Sequence, residues 1–195
     1  MIHHVDETLH KLLQTEGPEL LRKIAISFSA PDRDFAKNVP PPAINVFLYD
    51  IRENLDLRSN ETWITRNDKG KANLEGPPVR VDCSYLITAW SNADDAPREE
   101  HRFLGEVMRT LLRFPELPKQ YLRGELARPG LPLPTAVLHP GRLQSLGEFW
   151  QALDGQPRTA LNYTVTIAVQ PGAPVESDLV TGLNTDVGMR GDENG

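Results

Sequence analysis

Five histidines, a single cysteine and several acidic pairs are the side chains here that could carry chemistry, and none stands at the spacing a mechanism needs. His3 and His4 are adjacent and His10 lies six or seven positions on. Two imidazoles on a helix converge on one metal when they are four apart. Glu99-Glu100-His101 sets carboxylates beside an imidazole, yet neighbours on a helix diverge by about 100°, and acids in a first helical turn are explained by the helix dipole. Ser145-Leu146-Gly147 lacks the upstream glycine and the preceding strand of a nucleophile elbow. Gly70-Lys71 is followed by Ala72, without the upstream glycine and following helix of a phosphate loop. His139 follows a short strand candidate and precedes Pro140-Gly141; with a nearby acid it is the one residual hydrolase reading. Cys83 has no intramolecular partner for a disulfide and falls on the apolar face of a predicted strand, which makes it a core side chain. The chain reads as a non-enzyme with no catalytic residue, metal site or cofactor.

The element that must organise the fold is Val79 to Phe114. In its first part Val79, Val81, Cys83, Tyr85, Ile87 and Ala89 alternate with Arg80, Asp82, Ser84 and Thr88, the period of a strand with one buried face. Trp90 and Leu86 fall on the otherwise polar face. In the second part Phe103, Leu104, Val107, Met108, Leu111 and Leu112 keep helical spacing, predicting an amphipathic helix of about four turns. Asp94 or Asp95 is its N-cap, Pro97 suits its first turn, and Phe114-Pro115 stops it.

Around this pair, Ile2 to Thr15 predicts a helix with Val5, Leu9, Leu12 and Leu13 on one side. Ile24 to Phe28 and Ala43 to Ile51 read as strands, the second reached through Pro40-Pro41-Pro42. Thr62 to Thr65 is β-prone; the turn signal Asn67 to Lys71 pairs it as a hairpin with the Val79 strand. Five prolines between Pro115 and Pro134 exclude long regular structure. Gly141 to Leu153 predicts a short helix and Thr159 to Gln170 a final strand. Helices are bunched rather than alternating with every strand. The fold class is therefore α/β in the α+β sense, a mixed, mainly antiparallel twisted sheet with helices on one face. One domain spans 1–171, and a flexible tail, 172–195, follows.

With 195 residues the chain can bury one sizeable core. Its 21 basic and 27 acidic side chains give a net charge of −6, which disfavours the phosphate contacts of nucleic-acid binding. No apolar run approaches the roughly 20 residues of a membrane span, and the N-terminus lacks a signal-peptide pattern, so no membrane insertion and synthesis in the cytoplasm are expected.

Two features are left for contact with other proteins. Asp50, Arg52, Glu53 and Arg58 form a dense mixed-charge exit from a strand, suited either to salt-bridged contact between copies or to a solvated loop. Trp90 either seals a second layer or lies in a subunit interface, where tryptophan is enriched. Trp63, in the β-prone run, joins these interface candidates.

Several runs in order resemble a family: Ile26 to Phe28 with Ala30 to Asp34, Asn45 to Asn54 with Leu57-Arg58, Val81 to Trp90, and Glu99 to Pro115. They are similar to the cap, or tail-terminator, proteins of contractile injection systems, the phage-tail-like particles of antifeeding-prophage type, and the likeness extends over Leu146 to Val169. It implies a structural cap: a homohexameric ring on the distal end of the inner tube that contacts tube and sheath proteins and ends their polymerisation, without a cofactor. Some relatives carry longer C-terminal extensions than the short tail from Gly172. The alternative is a protein-binding adaptor or baseplate component that forms no closed ring.

Overall fold

The computed structural model describes residues 1–60, 63–66, 72–128, 130–138, 145–173 and 175–177. The chain divides into two compact units, residues 1–58 with 79–169, and residues 59–78 with 170–195.

The larger unit is built on a five-stranded sheet. Its strands are β1 (Ala25–Ser27), β2 (Ala43–Glu53), β5 (Val79–Trp90), β6 (Thr135–Val137) and β7 (Ala160–Val169), in the order β1-β2-β5-β7-β6. Only β1 and β2 run parallel; every other pair is antiparallel. The sheet is thus mixed and mainly antiparallel, with β5 at its centre. Tyr85 lies opposite Leu48 on one side and Tyr163 on the other. Directly opposed residues share a face, so this row belongs to the face that packs on helices.

Those helices are α1 (Ile2–Glu16) and α4 (Ala96–Leu112), and the single turn α2 (Glu19–Arg22) follows α1 in the chain. Val5, Leu9, Leu12 and Leu13 of α1 and Phe103, Leu104, Val107 and Leu111 of α4 are buried in one cluster with Ile44, Val46, Cys83, Tyr85, Ile87, Val165 and Ile167. Each such side chain contributes about 1.5–3 kcal/mol by leaving water. The helical spacing and the strand alternation point to this core. Asp95 holds the N-cap of α4 without a side-chain bond, and Pro97 lies in the first turn. Glu100 instead reaches back, its Oε1 accepting from the Ser91 N–H at 3.1 Å, and Glu99 accepts from the Ser91 hydroxyl.

The proline-rich segment after α4 contains two 3-10 turns, Lys119–Tyr121 and Gly124–Ala127, and is fastened to α1. Thr8 Oγ1 accepts from the Arg123 N–H at 3.2 Å, Glu125 N–H donates to His4 Nδ1 at 3.4 Å, and the Tyr121 hydroxyl donates to Glu16. Glu116 and Pro134 form an isolated bridge that continues the sheet past β6.

The second face of the sheet departs from the expectation of a solvated surface. Arg80, Asp82, Ser84, Leu86, Thr88 and Trp90 are all buried. Helices therefore lie on both faces, because α5 (Leu146–Ala152) covers this one: the Phe149 ring is 6.2 Å from Phe47 and 6.4 Å from Tyr49, and Phe47 opposes Leu86. Ser145 caps α5, its hydroxyl accepting from the Glu148 N–H at 3.2 Å, and Trp150 is buried. The short α3 (Phe35–Asn38) brings Phe35 onto Trp90, their ring centroids 4.4 Å apart.

The smaller unit contains a three-stranded antiparallel sheet of β3 (Trp63–Arg66), β4 (Ala72–Glu75) and β8 (Val175–Ser177), in the order β3-β4-β8. Here the expected hairpin changes partner. Trp63–Arg66 pairs with Ala72–Glu75 and not with the Val79 strand. Pro77 and Pro78 carry no N–H for a ladder and break the run between β4 and β5. The expected turn at 67–71 lies outside the described residues. The tail contributes β8, in which Val175, Glu176 and Ser177 oppose Leu74, Asn73 and Ala72; residues 178–195 lie outside the described residues.

Candidate assembly surface

The mixed-charge exit of β2 is held by one side chain, Asn54. Its backbone N–H donates to Arg80 O at 2.8 Å. Its amide Nδ2 donates to both carboxylate oxygens of Asp82, at 3.0 and 3.2 Å, and its Oδ1 accepts from the Leu57 N–H at 3.0 Å, closing the 3-10 turn Leu55–Leu57. Asp82 is anchored in turn by the Thr166 hydroxyl at 2.6 Å, and Arg80 Nη2 donates to Pro132 O at 2.7 Å. Burial pulls the Arg80 guanidinium below its ordinary value, partly offset by the nearby Asp82 charge. A buried, bonded network thus fixes the direction in which the chain leaves the sheet.

The four charged candidates sit on this frame and pair among themselves. Arg52 Nε is 2.9 Å from Asp50 Oδ2, and Arg58 Nε is 3.0 Å from Glu53 Oε1. Both arginines are largely exposed, so each pair contributes about 0–1 kcal/mol to the fold. The same stretch exposes three large apolar side chains that sequence reasoning passed over: Ile51 at 47 %, Leu55 at 67 % and Leu57 at 46 %. Their charged neighbours mask them in any averaged hydropathy. The alternation Asp50-Ile51-Arg52 was the available signal.

Trp90 fills the first of its two expected roles. It is 7 % exposed, its indole N–H donates to Thr88 Oγ1 at 3.0 Å, and the Arg158 guanidinium carbon lies 3.8 Å from its ring centroid. It seals a second layer inside the chain. Trp63 is in β3, opposite Glu75, in the smaller unit.

The residues weighed for chemistry are spread out. The His4 ring packs against Gly124, His101 Nε2 is 3.1 Å from Thr159 Oγ1, and His139 lies outside the described residues. Burial pushes the Cys83 thiol up to about 11. Among the described residues no group of three or more His, Cys, Asp or Glu is placed to hold a metal, and no helix is long and apolar enough to cross a membrane. A groove of about 440 Å³ is lined by Leu117, Leu122, Leu126 and Leu133 together with Glu116 and Arg128; the proline content of that segment had hidden it.

The chain is similar to the sheath/tube terminator of an extracellular contractile injection system, PVC, in its extended state, with 29 % identity and a TM-score of 0.72 over 100 % of this chain and 65 % of that one. It is also similar to the anti-feeding prophage cap, a tube-terminating cap, with 29 % identity and a TM-score of 0.66 over 94 % of this chain. It spans 60 % of that cap, so both relatives are longer than this chain. No curated protein matches it. Residues 4–181 match the family described as the Pvc16 N-terminal domain, and on that match, with the shared α+β fold, the chain belongs to the Pvc16 N-terminal domain family.

Proposed function

We propose that the chain is a structural cap, the terminator of the tube and sheath of a contractile injection particle. It acts as a homohexameric ring that seats on the last layer of the inner tube, touches the sheath and ends the growth of both. The observation that carries this reading is the likeness, along the whole chain, to a sheath/tube terminator at 29 % identity and a TM-score of 0.72. The terminator's work is done by surfaces, with neither cofactor nor catalysis. The β2 exit, with Asp50, Arg52, Glu53 and Arg58, is the surface offered to a neighbouring subunit, and Trp63 marks the smaller unit as a second.

The test is particle length. Deleting the gene from a particle-producing strain should yield tubes and sheaths of scattered, excessive length in electron micrographs, and restoring it should return one length. Particles of uniform length without the protein would refute the reading and favour an adaptor or baseplate role.

A further inference from the structure

Asn54 stands where the chain leaves the sheet, and the two ends of its amide do different work. Oδ1 accepts from the Leu57 N–H at 3.0 Å and caps the turn Leu55–Leu57. Nδ2 donates to both oxygens of Asp82, at 3.0 and 3.2 Å, and ties that turn to the central strand. Asp82 is buried and held in turn by the Thr166 hydroxyl of β7. What this anchor presents is apolar. Leu55 is 67 % exposed, the most of any large hydrophobic side chain among the described residues, and Leu57 is 46 % exposed. Two leucines held out in water on a turn fixed by three side-chain hydrogen bonds are organised in advance for contact.

We propose that Leu55 and Leu57 are the apolar centre of the contact with a neighbouring copy of this chain, and that Asn54 is the positioning residue that aims them. Resting on the terminator reading, this names the side chains of the β2 exit that make the contact proposed there. Charge selects a copy as the occupant. The chain carries a net charge of −6, so copies repel one another on the whole. At the exit Arg52 and Arg58 offset all but one of the acids Asp50, Glu53 and Asp56, so that repulsion is weakest where the leucines stand. Arg52 with Asp50, and Arg58 with Glu53, are paired within the chain at 2.9 and 3.0 Å. They form a polar rim around an apolar core, the arrangement of a protein interface. Asn54 acts through position alone. Its N–H holds Arg80 O whatever its side chain, and the side chain decides where the next three residues go.

The experiment puts photoreactive p-benzoylphenylalanine in place of Leu55 in the full chain and irradiates assembled particles. The expected product joins two copies of the chain. An adduct with another particle component alone, or no adduct, overturns the proposal. Leu57→Ser added to this chain changes an exposed side chain, so it should lower the two-copy yield at least about tenfold and leave the urea midpoint where it was. Asn54 is tested by exchange. Asn54→Asp keeps the oxygen that caps the turn but sets a second carboxylate against Asp82, and the yield should again fall about tenfold. Adding Asp82→Asn reverses donor and acceptor: the amide at position 82 donates to the carboxylate at position 54, and its oxygen still accepts from Thr166. The yield should return to within about twofold, with the same circular dichroism throughout. A yield that Leu57→Ser leaves unchanged overturns the apolar centre. One that Asn54→Asp leaves unchanged, or that the exchange does not restore, overturns the positioning role. A chain that crosslinks as expected while particle length ignores its deletion fails the terminator reading alone; controlled length without the two-copy adduct fails this contact alone.

Discussion

The guanidinium of Arg158 lies over the ring of Trp90, its central carbon 3.8 Å from the ring centroid, while its Nη1 donates to Glu100 Oε1 at 2.7 Å. One side chain from the loop before β7 thus joins the end of β5 to the start of α4. Glu100 closes the triangle by accepting from the Ser91 N–H. The contact is shielded: Trp90 is buried, and the Arg158 and Glu100 side chains are 26 % and 16 % exposed.

Removing the guanidinium should therefore cost more than an ordinary surface charge. Arg158→Ala is expected to destabilise the chain by about 2–3 kcal/mol, from a desolvated cation–π contact and a charge-assisted hydrogen bond. Arg158→Lys keeps the charge but not the planar stack, so it should recover less than half of that loss. Urea unfolding followed by tryptophan fluorescence measures both. A lysine variant as stable as wild type would mean the stacking contributes nothing.

Asp6 gives the fold a pH dependence. Its carboxylate accepts from the buried Tyr85 hydroxyl at 2.8 Å. Burial raises its pKa above the ordinary aspartate value, with the Tyr85 bond and His3 acting in the opposite direction. An acid whose folded-state pKa is raised contributes stability that is fully present below its unfolded pKa and is lost as pH rises through the folded one. Asp6→Asn stays neutral and can still accept from Tyr85. Its stability relative to wild type should therefore improve between pH 3 and pH 7. Urea midpoints at several pH values read the difference, and a constant difference would show that burial does not govern this group.

At the β2 exit the expectation reverses: fold and assembly should separate. Arg52→Glu with Arg58→Glu breaks only exposed pairs, so the stability of the chain should change by no more than about 1 kcal/mol. Particle assembly should nevertheless fail if the β2 exit is the subunit contact proposed above, because the reversed charges would then oppose the neighbouring copy. Circular dichroism and electron microscopy of the same variant measure the two effects. Normal particles would remove these arginines from the interface.

Much of this was readable in advance, and the exceptions have a common cause. The α1 and α4 stripes and the row Cys83, Tyr85, Ile87 follow local periodicity, which sequence displays directly. Leu86 and Trp90 on the supposedly polar face announced a second layer, but what covers it, Phe35 and Phe149, comes from elements far along the chain. The same holds for Arg158, 68 positions from Trp90. The hairpin partner was missed because a turn signal tells where a chain reverses, and the proline pair that ends β4 decides which strand it meets. At the candidate surface, the charges of Asp50 to Arg58 were plain, whereas their mutual pairing and the exposure of Ile51, Leu55 and Leu57 between them are set by the folded chain.

Gly124 offers a test of how the proline-rich segment is held to α1. Its φ is +51°, and a Cβ placed there would lie 2.1 Å from His4 Cε1. Gly124→Ala thus meets two separable penalties, a left-handed backbone costing about 1–2 kcal/mol and a clash with an imidazole that Glu125 N–H holds through Nδ1. In wild type the exchange should cost more than about 2 kcal/mol. In a His4→Ala background the ring is gone and only the backbone penalty remains, so the same exchange should cost about 1–2 kcal/mol. The double-mutant cycle isolates the clash as the difference between the two. An identical cost in both backgrounds would mean that His4 swings clear and does not pin this segment. The 3-10 turn at Gly124–Ala127 would then depend on Thr8 and Tyr121 for its attachment to α1.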